Sequence, residues 1–132
     1  MKAVIVFTLL VVVAVVYGQS DTYTDEFDKI DIDEILASRR LVENYLHCAK
    51  TGQKCTPDGQ KARELIPDAL KTRCSKCTLA QKVKVQKVLE WAIQNKPEDF
   101  LELETQFDPE HQYRKEYADE LKQKNIVLPP LK

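Results

Sequence analysis

Apolar side chains recur along this chain at helical spacing, in short blocks separated by polar or proline-bearing segments. Leu41, Val42, Tyr45, Leu46 and Ala49 fall at i, i+1, i+4, i+5 and i+8, which is one stripe of an α-helix. Ser38 precedes the stripe as an N-cap, and Gly52 follows it as a stop. Upstream, a polar lead-in with two aromatics (YTDEFD) runs into Ile30, Ile32, Ile35 and Leu36, the marks of a short first helix. Downstream, Thr56-Pro57 opens a third helix carrying Ala62, Leu65, Ile66, Ala69 and Leu70; Pro67 should kink it or split it near Ile66. Thr78 followed by Gln81 reads as a capping box for a long fourth helix toward Asn95. Its inward face is Val85, Val88, Leu89, Ala92 and Ile93, with Leu79 at its start. Lys96-Pro97 breaks it and starts a fifth helix with Glu98 and Asp99 at the positive end, followed by Phe100, Leu101, Leu103 and Phe107. Asp108-Pro109 repeats that start signal for a sixth, presenting Tyr113, Tyr117 and Leu121 at i, i+4 and i+8. The pattern predicts a small all-α bundle of about six amphipathic helices.

The first twenty residues change the setting. MKAVIVFTLLVVVAVVYGQS has one basic residue, an almost unbroken apolar run from Ala3 to Val16, and small or medium residues before Gln19. This predicts a signal peptide over residues 1–18, a single domain over 19–132 and a secreted, extracellular product. The run is short for a membrane span and lacks a basic stop-transfer cluster, so no stable membrane insertion is expected. The formal net charge is −1, and loss of Lys2 with the leader makes it slightly more negative, which does not favour nucleic-acid binding. The four cysteines form the pattern C-x6-C-x18-C-x2-C. In a small secreted chain they favour two disulfides, for which the sequence alone allows three pairings. A metal reading fails because His47 and His111 lack zinc-finger spacing, and a redox reading fails because the C-x-x-C has no βαβ context.

Candidate chemistry is sparse. No nucleophile is paired with an activating base, and no G-x-S-x-G, phosphate loop or H-E-x-x-H occurs, so neither an enzyme nor a cofactor is expected. The inward aromatics suit an apolar cavity with a polar mouth, although periodicity alone fits an ordinary core better. Gln81 begins the apolar face of the fourth helix and can reach a ligand head group, but capping is its simpler role. Trp91 sits beside the main stripe, either half-exposed or lining a pocket if the helix is shared between two faces, and is kept as a pocket candidate. Between Lys71 and Lys87 the charges are all basic, which reads first as a solvated face and second as a surface for anionic membranes or acidic partners. Base-stacking aromatics are absent from that run.

Taken together, the lead-in YTDEFDKIDIDEIL, the cysteine pattern, LIPDALKTRCSKCT, NKPEDF and FDPEHQYRKEY resemble the insect chemosensory proteins, also called the OS-D or pherokine-like family. The resemblance spans nearly all of 19–132. It implies six helices around an elongated apolar tunnel and disulfides between sequence neighbours, Cys48–Cys55 and Cys74–Cys77. It also implies a monomeric carrier of hydrophobic small molecules such as long-chain lipids or pheromones, in sensillar lymph or haemolymph. Tyr45 would line the channel, with Phe100, Tyr113 and Tyr117 at its far end. The helical stripes add Ile35, Val42, Leu65, Ile66, Val85, Val88 and Leu89 as candidate lining, with Gln81 at a polar position. Relatives carry Trp at the positions of Phe100 and Tyr113 and Tyr at that of Phe27, which bears on ligand preference. The family's expression beyond sense organs leaves a second reading open, a secreted signalling protein acting on a receptor or other extracellular partner.

Overall fold

The computed structural model describes residues 22–132 except Thr24, and for Asp25 the backbone only. The predicted signal segment, 1–18, lies outside the described residues. A 3-10 turn, Asp25–Lys29, leads into seven α-helices: α1 Ile32–Ala37, α2 Arg39–Thr51, α3 Pro57–Thr72, α4 Leu79–Asn95, α5 Pro97–Phe107, α6 Gln112–Glu116 and α7 Ala118–Gln123. No strand occurs among the described residues.

Each start is set by local chemistry. Asp31 caps α1 by accepting from the Glu34 amide, Ser38 caps α2 from the Leu41 amide, and Thr56 caps α3 from the Gly59 amide. The box at α4 is reciprocal: Thr78 N donates to Gln81 Oε1 at 3.0 Å and Gln81 N donates to Thr78 Oγ1 at 3.1 Å. Pro97 opens α5, with Glu98 and Asp99 in its first turn. Gly52 ends α2 in the left-handed region, φ 72°, its amide bonded to Cys48 O. The resemblance's two pairings are both present, Cys48–Cys55 across the turn after α2 and Cys74–Cys77 across the turn after α3.

Three expectations need correction. Pro67 does not split α3, which runs unbroken over 16 residues. Its ring sits on the exposed side, and one missing amide bond is tolerable in a helix of that length. The sixth helix begins at Gln112 rather than at Pro109, because the buried Asp108 carboxylate accepts from the Gln112 and Tyr113 amides and so sets the first turn there. That helix also breaks at Tyr117, whose φ/ψ of −95°/5° leaves the α region. The bonds Tyr117 N to Tyr113 O and Leu121 N to Tyr117 O, both 2.9 Å, still cross the break, so α6 and α7 are one helix with a local distortion.

The third correction concerns α4. Val85 and Val88, expected inward, are 53% and 38% exposed, while Leu79 and Val83 are 81% and 67% exposed. The helix is apolar on two sides: Leu79 and Val83 stack at i, i+4, and Val85, Val88 and Ala92 stack at i, i+3, i+7. Neither side is the inward one at these positions; the less exposed residues of the helix include Gln81, Leu89, Ala92 and Ile93. Polar anchors set the rotation instead. Lys84 Nζ donates to the carbonyls of Phe27, Asp28 and Ile30, each at 2.9 Å, and Lys87 pairs with Asp33.

Packing closes a ring of helices. α1 packs on α2, α2 on α5, α5 on α4, and α4 back on α1; α3 packs on α2, and the 3-10 turn lies on α4. The ring is loosely filled. Val42, Cys48, Cys77 and Ile126 are the buried apolar residues among those described, and most of the other stripe residues are half-buried. Polar links reinforce the α2–α5 contact: Lys50 pairs with Asp99 and Glu102, Lys96 with Glu43, and Gln106 donates to Lys50 O.

Candidate functional site

A groove of about 450 Å³ opens where the lead-in, α1, α2 and the start of α3 meet. Its apolar lining is Ile30, Ile35, Leu41 and the ring of Tyr45, and its polar lining is Glu26, Lys29, Asp31, Glu34 and Asp58. The size falls within the range of pockets for small molecules, about 300–1,000 Å³. Tyr45 reaches the groove because α3 approaches α2 at Gly59. A Cβ added at Gly59 would stand 3.2 Å from Cys48 Sγ and Thr56 Oγ1 and 3.5 Å from Tyr45 Cε1. The small residue thus admits the disulfide, the cap and the tyrosine to one spot.

The lead-in is one wall of this groove, and it is fastened from several sides. Lys84 holds its carbonyls, Lys61 pairs with Glu26 at 2.8 Å, and Tyr23 N donates to Lys76 O at 2.7 Å. The Tyr23 hydroxyl donates to Asp68 Oδ2 at 2.5 Å. Burial, then the hydrogen bond to that carboxylate and its charge, push the Tyr23 phenol up to about 12. Reciprocally, the bond from Tyr23 and the nearby Lys76 hold the Asp68 carboxyl below its usual range, against a desolvation cost.

A second groove, about 280 Å³, lies between α5, the turn at His111 and the tail, lined by Glu98, Leu101, Glu102, Thr105, His111, Leu131 and Lys132. The two grooves share no lining residue. Behind the second, Glu104 accepts from Arg114 through both oxygens, at 3.0 and 2.6 Å, and lies 2.7 Å from His111 Nδ1. Burial raises the Glu104 pKa, but the hydrogen bonds from Arg114 and His111 outweigh it and hold the carboxyl below its ordinary range. The cluster ties α5 to α6. No group of three or more potential metal ligands occurs among the described residues.

Of the sequence candidates, only Ile35 and Tyr45 line the first groove. Val42 is buried on α2; Leu65, Ile66, Leu89 and Phe100 are half-buried on α3, α4 and α5; and Gln81 is buried as the capping partner of Thr78. Tyr113 and Tyr117 form a tilted ring pair with centroids 5.7 Å apart, and the Arg73 guanidinium lies over Tyr117. The Tyr117 hydroxyl is buried without a hydrogen-bond partner. Its pKa is raised, chiefly by burial. Ile30, Leu41 and the charged rim were missed as site residues. Ile30 and Leu41 sit in the helical stripes, where lining and packing give the same signal. Lys84 gave no sequence signal, since its acceptors lie more than fifty positions upstream.

The insect pheromone-binding family A10/OS-D matches residues 23–115. This chain belongs to that family. Among OS-D relatives, the ejaculatory bulb-specific protein 3 of Drosophila melanogaster is 43% identical over 112 residues, 85% of this chain and 89% of that protein. The allergen Tha p 1 of Thaumetopoea pityocampa is 38% identical over 117 residues, 89% of this chain and 93% of that one. Two solved structures share the fold. A chemosensory protein in complex with bromo-dodecanol superposes with a TM-score of 0.68 at 39% identity, covering 75% of this chain and 99% of that one. The antennal chemosensory protein A6 of the moth Mamestra brassicae gives 0.63 at 40%, covering 82% and 100%. Family and fold are therefore those of ligand-binding proteins. No helix among the described residues is long and apolar enough to cross a membrane.

Proposed function

We propose that this protein is a secreted, monomeric carrier of long-chain apolar molecules, which it sequesters reversibly. The observation that carries this reading is the groove over Ile30, Ile35, Leu41 and Tyr45, with half-buried apolar residues and a set of charged residues around them, in a loosely packed helical protein. A chemosensory protein of this fold is solved with bromo-dodecanol, a long-chain alcohol. Burying a methylene gains about 0.8 kcal/mol, so a chain of ten gains ~8 kcal/mol gross. Lost rigid-body freedom and chain ordering offset several kcal/mol of that. Micromolar binding needs about −8 kcal/mol, so aromatic and packing contacts beyond methylene transfer must supply the difference. Half-buried helices joined by short disulfide-closed turns can shift apart, which favours broad selectivity.

The signalling alternative depends on the basic run from Lys71 to Lys87 as a docking surface. Much of that run is already engaged within the molecule: Lys76 with Asp68, Lys84 with three carbonyls, Lys87 with Asp33 and Arg73 with Tyr117. This favours the carrier. The test is titration of the oxidised, mature protein with a fluorescent apolar probe, followed by displacement with C12–C18 alcohols. Saturable uptake and competitive displacement are expected; absence of saturable uptake overturns the reading.

A further inference from the structure

The groove rim carries an unequal set of charges. Four carboxylates, Glu26, Asp31, Glu34 and Asp58, stand around an apolar base with a single ammonium, Lys29. Their states differ. Glu26 is paired with Lys61, and Asp31 accepts from the Glu34 amide as the cap of α1. Among the described residues Glu34, Asp58 and Lys29 make no side-chain ion pair. With Glu26 offset by Lys61, and with Lys29 and the Lys84 ammonium on the Ile30 carbonyl offsetting two more, the four carboxylates still leave a net negative charge at the mouth of an apolar slot.

From this geometry we infer that the groove selects its occupant by the charge of the head group: it takes long-chain amphiphiles with a cationic or uncharged head and disfavours fatty carboxylates. The inference deepens the carrier reading and rests on it. The chain lies on Ile30, Ile35, Leu41 and Tyr45, which leaves the head at the rim. There an ammonium meets unpaired carboxylates, a hydroxyl can donate to them, and a carboxylate meets like charge. Exposed charge contacts are each worth about 0.2–1 kcal/mol, so two of them separate the extremes by about twofold to thirtyfold. Added salt shrinks the separation, since exposed charges are screened beyond about 8–10 Å at physiological ionic strength.

The experiment displaces the bound fluorescent probe from the oxidised protein at neutral pH with three ligands of equal chain length: dodecylammonium, 1-dodecanol and dodecanoate, each below its micelle concentration. The expected order of affinity is ammonium, alcohol, carboxylate. The double variant Glu34→Gln/Asp58→Asn should compress that order, weakening dodecylammonium and strengthening dodecanoate relative to dodecanol, with helical circular dichroism unchanged. Probe binding that fails to saturate, or failure of all three to displace it, overturns the carrier reading itself. Displacement with equal affinities, or with dodecanoate strongest, overturns the charge selection and leaves the carrier standing. The expected order persisting undiminished in the double variant also overturns it, because the discrimination then arises elsewhere.

Discussion

Lys84→Met removes an ammonium and keeps most of the apolar stem. In the native structure that ammonium serves three carbonyls at 2.9 Å, those of Phe27, Asp28 and Ile30, at the end of the 3-10 turn. Hydrogen bonds to charged groups contribute about 1.5–3 kcal/mol each when well buried. Lys84 is only half-buried and the freed carbonyls can turn to water, so the three together are worth about 2 kcal/mol rather than their sum. A loss of that size, confined to the lead-in, raises local opening by about thirtyfold. The assay is amide hydrogen exchange, read at Ile30 and Ile35, whose amides donate within this segment to Phe27 O and Asp31 O. Exchange there should accelerate while the interior of α2 keeps its protection. Because Ile30 and Asp31 line the groove, dissociation of a bound alcohol should also quicken. Lys82→Met, an exposed position on the same helix, is the control and should change neither. Unaltered exchange at Ile30 and Ile35 in Lys84→Met would refute the idea that this lysine fastens the wall of the groove.

Three further outcomes are expected. Glu104→Ala leaves Arg114 half-buried without its bidentate partner and should cost about 2–3 kcal/mol in thermal or urea denaturation. Since the Glu104 pKa is lowered on folding, its contribution is complete above its unfolded value, near 4.5, and fades as pH falls through the folded one; Glu104→Gln should flatten that acid limb of the stability profile. In an alkaline absorbance titration the Tyr23 phenol should ionise near 12, and Tyr23→Phe should delete that late component. The sign is the reverse of the acid case: the folded value lies above 10.0, so Tyr23's contribution is complete below pH 10 and is lost as pH rises toward 12. Gly59→Val forces atoms against Cys48 Sγ, Thr56 Oγ1 and Tyr45, so it should destabilise by about 1–3 kcal/mol, with an altered Tyr45 fluorescence environment in near-neutral buffer.

The helices were legible because each carries its own start signal. Ser38, Thr56, Thr78 with Gln81, and Pro97 act within a few residues of themselves, so sequence neighbours suffice to read them. Gln81 proved to be the capping residue that its spacing favours. The local distortion at Tyr117 carried no comparable mark, and neither did the rotation of α4. Leu79 and Val83 on one side and Val85 and Val88 on the other all stay exposed, so apolar periodicity alone did not give the rotation, which Lys84 and Lys87 fix by reaching a distant segment. The groove was legible in part for the same reason. Tyr45 and Ile35 lie on stripes, but the groove also takes Asp58 from the start of α3 and Glu26 to Asp31 from the lead-in. Their convergence depends on Gly59 and on the lysine clamp, both of them tertiary contacts. Short-loop disulfides remove little unfolded-state entropy by the chain-entropy model, so Cys74–Cys77 and Cys48–Cys55 act chiefly to fix the turns after α3 and α2.

The central claim is that an alkyl chain lies on Ile30, Ile35, Leu41 and Tyr45. The most direct measurement is an isotope-filtered NOE experiment on labelled protein saturated with unlabelled 1-dodecanol. The account predicts NOEs from the methylene protons to the Tyr45 ring and to the methyls of Ile35 and Leu41. NOEs confined to the exposed Leu79 and Val83 side of α4, or none at all under saturating alcohol, would contradict it.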